Sequence, residues 1–168
     1  MKVAVSGRPG SGKTTLALKV VDIAKRAGVR VGGFITLEVR EGGARVGFDV
    51  MTIPDGQKAP LARVGVGAPR VGKYVVNLGA CSLMLSALKV ADVDLLVVDE
   101  IGPMESKCPD FLDEVRSALL RASKALAVFH LSLVETARQW GFKVVMISQE
   151  SRDQALREVL SALGFRNV

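Results

Sequence analysis

The sequence predicts an α/β fold, a mostly parallel sheet flanked by helices and interrupted by an antiparallel hairpin insert. Short apolar runs alternate with stretches of helical periodicity along most of the chain. One run, Leu95–Val98, is continuously apolar, as a strand buried on both faces of a parallel sheet requires. Between residues 29 and 53 the alternation stops, and two β-branched and aromatic runs meet at Glu41-Gly42-Gly43.

Residues 2–6 are the first strand and end in a glycine-rich turn. From Thr14 to Ala27, the residues Leu16, Val20, Ile23 and Ala27 recur at spacings of three and four, a helix that Gly28 ends. Residues 29–39 and 44–53 form the hairpin. The prolines and glycines of 54–72 read as a loop, and Lys73–Asn77 as one more short strand. A helix over 80–91 leads into a strand over 93–100. Then come a helix at 109–122, a strand at 125–131, a short helix at 133–140, a strand at 143–148 and a last helix at 151–163.

At 168 residues the chain fits one domain, residues 1–168, and its 49% hydrophobic and 24% charged content is ordinary for a globular protein. No apolar run reaches the roughly 18 residues of a membrane helix, and MKVAVSGRPG lacks the apolar core of a secretory signal. A cytoplasmic location is therefore expected. The 23 basic against 17 acidic residues give +6, which suits an anionic partner. Nucleic acid is one such class, but the basic residues are dispersed rather than interleaved with aromatics, so no clear motif supports it. Cys81 and Cys108 lie far apart with no metal-ligand spacing and read as reduced thiols.

Two segments carry chemistry. Gly7-Arg8-Pro9-Gly10-Ser11-Gly12-Lys13-Thr14 fits GxxxxGK[ST] at every fixed position. Glycines let main-chain N–H groups turn inward around phosphate oxygens, and the helix that follows points its positive end at them. Lys13 would reach the β- and γ-phosphates, and the Thr14 hydroxyl would ligate Mg2+. This predicts binding of a nucleoside triphosphate with magnesium. The second segment is LLVVDEIG, residues 95–102. A carboxylate at the end of a buried strand is costly unless it meets a cation, so Asp99 is assigned to magnesium. Glu100 is then the candidate base that orients and deprotonates an attacking water. A strand over 125–131 would lie between the loop strand and the Asp-Glu strand, nominating His130 or Ser132 at its tip as the sensor of the γ-phosphate. Arg8, Arg40, Arg45, Arg63 and Arg152 are candidates for stabilising the transferring phosphoryl group, and the sequence does not choose among them.

With these pieces assembled, the chain resembles the THEP-type nucleoside-triphosphatases, which include the cancer-related nucleoside-triphosphatase of animals. The likeness extends to GGFITLEVREGGARVGFDV (32–50), PLARVG (60–65), RVGKYVVN (70–77), DEIGPME (99–105) and ESRD (150–153). It implies a monomeric, RecA-like P-loop domain that hydrolyses ATP, GTP, CTP and UTP to diphosphate and phosphate without strict base choice. Position by position, it implies nucleotide-binding segments at Gly7–Thr14 and at Leu95, Leu96, Val97, Val98, Asp99, Glu100, Ile101 and Gly102, with Lys13 and Glu100 catalytic. Two departures stand out. VFHLSLVE runs almost directly into the next helix where many members have a Thr-Ile-Pro loop, and Ser151 stands where Asn is common. Two other functions share these motifs. One is a kinase whose acceptor pocket is the hairpin insert; the other is a nucleotide-dependent switch on RNA or DNA.

Overall fold

The computed structural model describes residues 1–89 and 92–165. The first run folds as β1 (Lys2–Ser6) and passes through the glycine-rich turn into α1 (Lys13–Arg26). Gly12 caps α1 from the left-handed region at φ 104°, and Gly28 at φ 77° ends it. β2 (Val31–Glu41) and β3 (Ala44–Ile53) form the expected hairpin. Its turn residues Gly42 (φ 57°) and Gly43 (φ 78°) both take the positive φ that a tight two-residue turn needs.

The stretch expected to be a loop, 54–72, instead contains β4 (Lys58–Val64) and β5 (Arg70–Val71), followed by β6 (Tyr74–Val76). Pro60 argues against a strand because it cannot donate to a ladder. It is accommodated beside an irregularity, where the register passes from Phe48↔Ala62 to Asp49↔Pro60 and leaves Leu61 as the extra residue. α2 (Cys81–Ala87) follows, and the last two residues of the helix expected over 80–91 lie outside the described residues. The remaining elements are β7 (Leu95–Ile101), α3 (Phe111–Arg121), β8 (Lys124–Phe129), α4 (Val134–Gln139), β9 (Lys143–Met146) and α5 (Arg152–Leu163).

The strands form one sheet in the order β5-β6-β4-β3-β2-β7-β8-β1-β9. From β2 to β9 the pairings are parallel; from β2 to β5 they are antiparallel. The sheet is thus mixed, with four parallel and four antiparallel pairings, because the insert side brings four strands beyond the hairpin's first. β8 lies between β1 and β7, as expected of the 125–131 run.

Helices cover both faces. Leu96 and Val98 of β7 pack with Met84, Phe111, Val115, Leu119 and Ala137 of α2, α3 and α4. Leu95 and Val97 pack with Leu16, Val20 and Ala24 of α1 and Val159 and Leu163 of α5. The period-two alternation of a continuously apolar strand therefore feeds two cores. Gly33 lets β2 approach β7, since a Cβ there would collide with the Val97 carbonyl. Among the described residues no helix is long and apolar enough to cross a membrane.

The two cysteines are not reduced thiols. Cys81 at the start of α2 and Cys108 before α3 are disulfide-bonded, with Cα atoms 5.6 Å apart across 27 positions of sequence. Spacing in sequence could not reveal this, because α2 and the segment before α3 meet only when both pack on the same core. Closing a loop of that size stabilises the folded chain by about 3.5 kcal/mol in the chain-entropy account.

Candidate functional site

The loop after β1 is anchored at both ends. Ser6 Oγ donates to the Phe129 carbonyl at 2.8 Å, tying the end of β1 to the end of β8. Behind the loop, a Cβ on Gly7 would collide with the Ile147 carbonyl just past β9. The loop wraps its own ammonium: Lys13 Nζ donates to the Gly7 carbonyl at 2.8 Å and the Arg8 carbonyl at 3.1 Å. Arg152, at the start of α5, donates from Nε to the Ser11 carbonyl at 3.0 Å and from Nη2 to the Gly10 carbonyl at 3.2 Å. A Cβ at Gly12 would lie 2.9 Å from that Nε. The Gly7, Arg8, Gly10 and Ser11 carbonyls are therefore turned toward cations. The Ser11 N–H donates to the Arg8 carbonyl at 3.1 Å, which leaves the N–H groups at the start of α1 for an anion.

Across the cleft the groups are acidic. In a regular strand Asp99 and Glu100 would point to opposite faces. The register from Asp99↔Val128 to Ile101↔Phe129 leaves Glu100 as an extra residue, and both carboxylates border the same cleft. Asp99 is 1% exposed and Glu105, from the turn before α3, 2%. Thr36 on β2 holds this corner, its Oγ1 donating to the Asp99 carbonyl at 2.8 Å and reaching Glu105 Oε2 at 3.5 Å. Burial pushes the Asp99 carboxyl up to about 8, with the Glu100 charge adding to it and Thr14 and Lys13 pulling the other way. Burial also raises Glu105 well above the usual carboxylate range, helped by Glu100, and raises Glu100 against the pull of Lys13. Asp99 Oδ2 is buried with no hydrogen-bond partner.

The cleft between the two sides holds about 590 Å3 and is bordered by Pro9, Gly10, Gly12, Lys13 and Thr14 from the loop and by Asp99 and Glu100 from β7. Gly7, Arg8 and Ser11 face a separate hollow of about 480 Å3 on the β9 side of the loop. Leu95, Leu96, Val97, Val98 and Ile101 contribute no side chain to either, being buried in the two cores. Gly102 is packed so that a Cβ would lie 3.1–3.3 Å from His130 Cβ, Glu105 Oε1 and Glu100 Oε1. Of the two sensor candidates, His130 borders the cleft and Ser132 supports it, donating from its N–H to His130 Nδ1 at 3.1 Å. Burial, with Lys13 nearby, lowers the His130 pKa, so its imidazole is neutral.

Of the arginine candidates, Arg45 and Arg152 border the cleft. Arg40 is paired with Glu38 and the Gly43 carbonyl, Arg63 with Asp49 and the Phe48 carbonyl, and Arg8 lies on the β9 side. Thr36, Glu38, Phe48, Tyr74, Met104 and Glu105 also border the cleft, and sequence reasoning gave none of them a role. Met104 and Glu105 sat inside the DEIGPME block, which was the one signal that could have drawn notice to them.

Residues 2–160 match a family model described as NTPase. The chain is 43% identical to the nucleoside-triphosphatase THEP1 of Pyrobaculum islandicum, over 98% of this chain and 94% of that one. It is likewise 43% identical to the nucleoside-triphosphatase THEP1 of Archaeoglobus fulgidus, over 97% and 99%. The solution structure of a human cancer-related nucleoside triphosphatase matches with a TM-score of 0.82 at 36% identity, covering 99% of each chain. The crystal structure of THEP1 from Aquifex aeolicus matches with a TM-score of 0.82 at 31% identity, over 98% and 99%. With matches of this extent in both sequence and fold, the chain belongs to the NTPase family and is a nucleoside-triphosphatase.

Proposed function

We propose that the chain acts as a monomeric, single-domain, RecA-like P-loop enzyme. It hydrolyses the terminal phosphoryl group of nucleoside triphosphates with magnesium and with little choice of base. The observation that carries the magnesium assignment is Asp99 Oδ2, a carboxylate oxygen buried beside Thr14 with no partner. A divalent cation would reverse the electrostatics that hold the Asp99 proton on. Among the described residues no group of three or more His, Cys, Asp or Glu forms a cation cage. That suits an ion held by one or two protein groups and by the phosphates it arrives with. Thr14 and Asp99 would hold it, and when bound it supplies charge neutralisation across the β- and γ-oxygens.

The rest follows from the chain's own groups. The N–H groups of Gly10, Gly12, Lys13 and Thr14 bind the phosphates at the start of α1. Lys13 leaves the Gly7 and Arg8 carbonyls for the β- and γ-oxygens, where negative charge grows on the bridging oxygen. Glu100 accepts the proton of an attacking water as the γ-phosphorus bond to that oxygen breaks. The products are a nucleoside diphosphate and phosphate. None of these contacts reads a base. On the β9 side, the Ser151 hydroxyl is occupied by the Ser148 N–H at 3.0 Å and its hydroxyl at 2.9 Å. Values of kcat/KM for ATP, GTP, CTP and UTP at one magnesium concentration should therefore agree within about tenfold, a spread of roughly 1.4 kcal/mol. A preference of about a thousandfold for one base would require buried groups matched to it, and would end this reading.

A further inference from the structure

We propose that the cleft has a second occupant besides the nucleotide: a small flat heterocyclic alcohol of the nucleoside type, seated on the insert, that accepts the γ-phosphoryl group at its hydroxyl. This rests on the assignment of the phosphate loop and Glu100 made above. The triphosphate occupies the loop side of the cleft, with its γ end at Asp99 and Glu100. Beyond those carboxylates the same cleft continues onto the insert, where β2, β3 and β6 supply its floor. Water needs no such chamber, since its share of liquid volume is about 30 Å3.

The nucleotide's own base has another exit. With the γ end at Asp99 and Glu100, the ribose and base would have room in the hollow between the loop and Met146–Glu150, which meets the cleft at Pro9 and Gly10. The insert side is furnished for a ring. Phe48 and Tyr74 meet edge to face with centroids 5.5 Å apart. The Arg45 guanidinium lies over the Phe48 ring at 5.4 Å and donates to the Tyr74 hydroxyl at 3.1 Å, so both rings are held in place. Met104, following the Asp-Glu strand, borders the same cleft with a polarisable thioether. At the rim Glu38 is paired with Arg40 and stands 3.7 Å from Arg45, and this charged cluster would offer an acceptor beside a donor to the polar edge of a heterocycle.

The step balances without any further reactant. The acceptor's hydroxyl oxygen forms a bond to the γ-phosphorus, and the bond from that phosphorus to the β–γ bridging oxygen breaks. Glu100 takes the hydroxyl proton. The products are a phosphomonoester and a nucleoside diphosphate. Hydrolysis is the same reaction with water in the acceptor's place.

The test is incubation of the full chain with γ-labelled ATP and magnesium, alone and with each ribonucleoside, each deoxynucleoside, pyridoxal or thiamine. Labelled phosphomonoester and labelled free phosphate are separated and counted, and binding of each compound is followed by saturation-transfer NMR. The expected result is a labelled phosphomonoester with at least one compound, at the expense of free phosphate. Phe48→Ala, and the milder Phe48→Leu should the first fail to fold, lower the ratio of phosphomonoester to free phosphate by about tenfold, the worth of one stacking face. Free phosphate released normally while no compound binds or takes label would overturn the acceptor site and leave hydrolysis standing. Loss of free phosphate release from ATP alone would instead remove the reading beneath it. A rise in KM for ATP as the main effect of Phe48→Ala would make the floor the nucleotide's own base site and also overturn the proposal.

Discussion

On the loop side of the cleft the polar groups are main-chain N–H groups, the Lys13 ammonium and the Thr14 hydroxyl, all from one segment, Pro9–Thr15, joined by the Arg152 guanidinium from α5. On the β7 side they are three carboxylates and a hydroxyl, Asp99, Glu100, Glu105 and Thr36, drawn from two segments of the chain. The first side is preorganised by glycine conformation and a helix end, with Gly10 exposed and Gly12, Lys13 and Thr14 half-buried while Gly7 and Ser11 are buried behind them. The second is held together against its own charge, with two carboxyls almost wholly buried. On the proposed function, binding belongs to the side made largely of backbone, and chemistry to the side under electrostatic load.

The strongest way to break that division is Lys13→Ala. It removes the one side-chain cation that the loop aims at the β- and γ-phosphates, so kcat/KM should fall by about a thousandfold or more, with triphosphate binding weakened as well. Phosphate release and nucleotide titration on a folded variant check both; near-normal turnover would mean that the loop is not the phosphate site. Glu100→Gln attacks the other side alone. It keeps shape and hydrogen bonding but removes the basic carboxylate, so triphosphate binding should persist while phosphate release slows about a hundredfold. Turnover within a few-fold of the parent would assign the water to another group.

A smaller effect sharpens the electrostatic half of the comparison. With the Asp99 carboxyl raised from 3.8 to about 8, the folded chain holds that proton more tightly than the unfolded chain between those values. The contribution of Asp99 to stability without metal should then be fully present below about pH 4, decline as pH rises, and be gone above about 8. Asp99→Asn should flatten this slope, keeping the part that belongs to Glu105, and should lose the thermal stabilisation that magnesium gives the parent at neutral pH. Melting temperatures across pH, with and without magnesium, decide it. An unchanged slope in the variant would place the load elsewhere.

The same contrast explains what the sequence could tell. Gly7–Thr14 was legible because one local conformation needs those residues at that spacing, and the parallel half because Leu95–Val98 can be nothing but an interior strand. Pro60 hid β4, since a proline inside a strand is tolerated only beside a register irregularity that depends on its partner. Thr36 and Glu105 lie inside the 32–50 and 99–105 blocks, yet no local feature singles them out. Each is an ordinary residue in its own segment and acquires meaning from a hydrogen bond 63 or 69 positions away. The disulfide between Cys81 and Cys108 was misread on the same account.

β2 is a single beam with two clamps. Val31–Phe34 are fixed to β7, and Gly33–Glu41 to β3. Thr36 stands just past the changeover, gripping the Asp99 carbonyl. A displacement near Glu38, at the insert end of the cleft, would be passed along this strand to the hydrogen bond on Asp99. The insert and the carboxylates thus share one strand, and what docks on the first has a continuous route to the second.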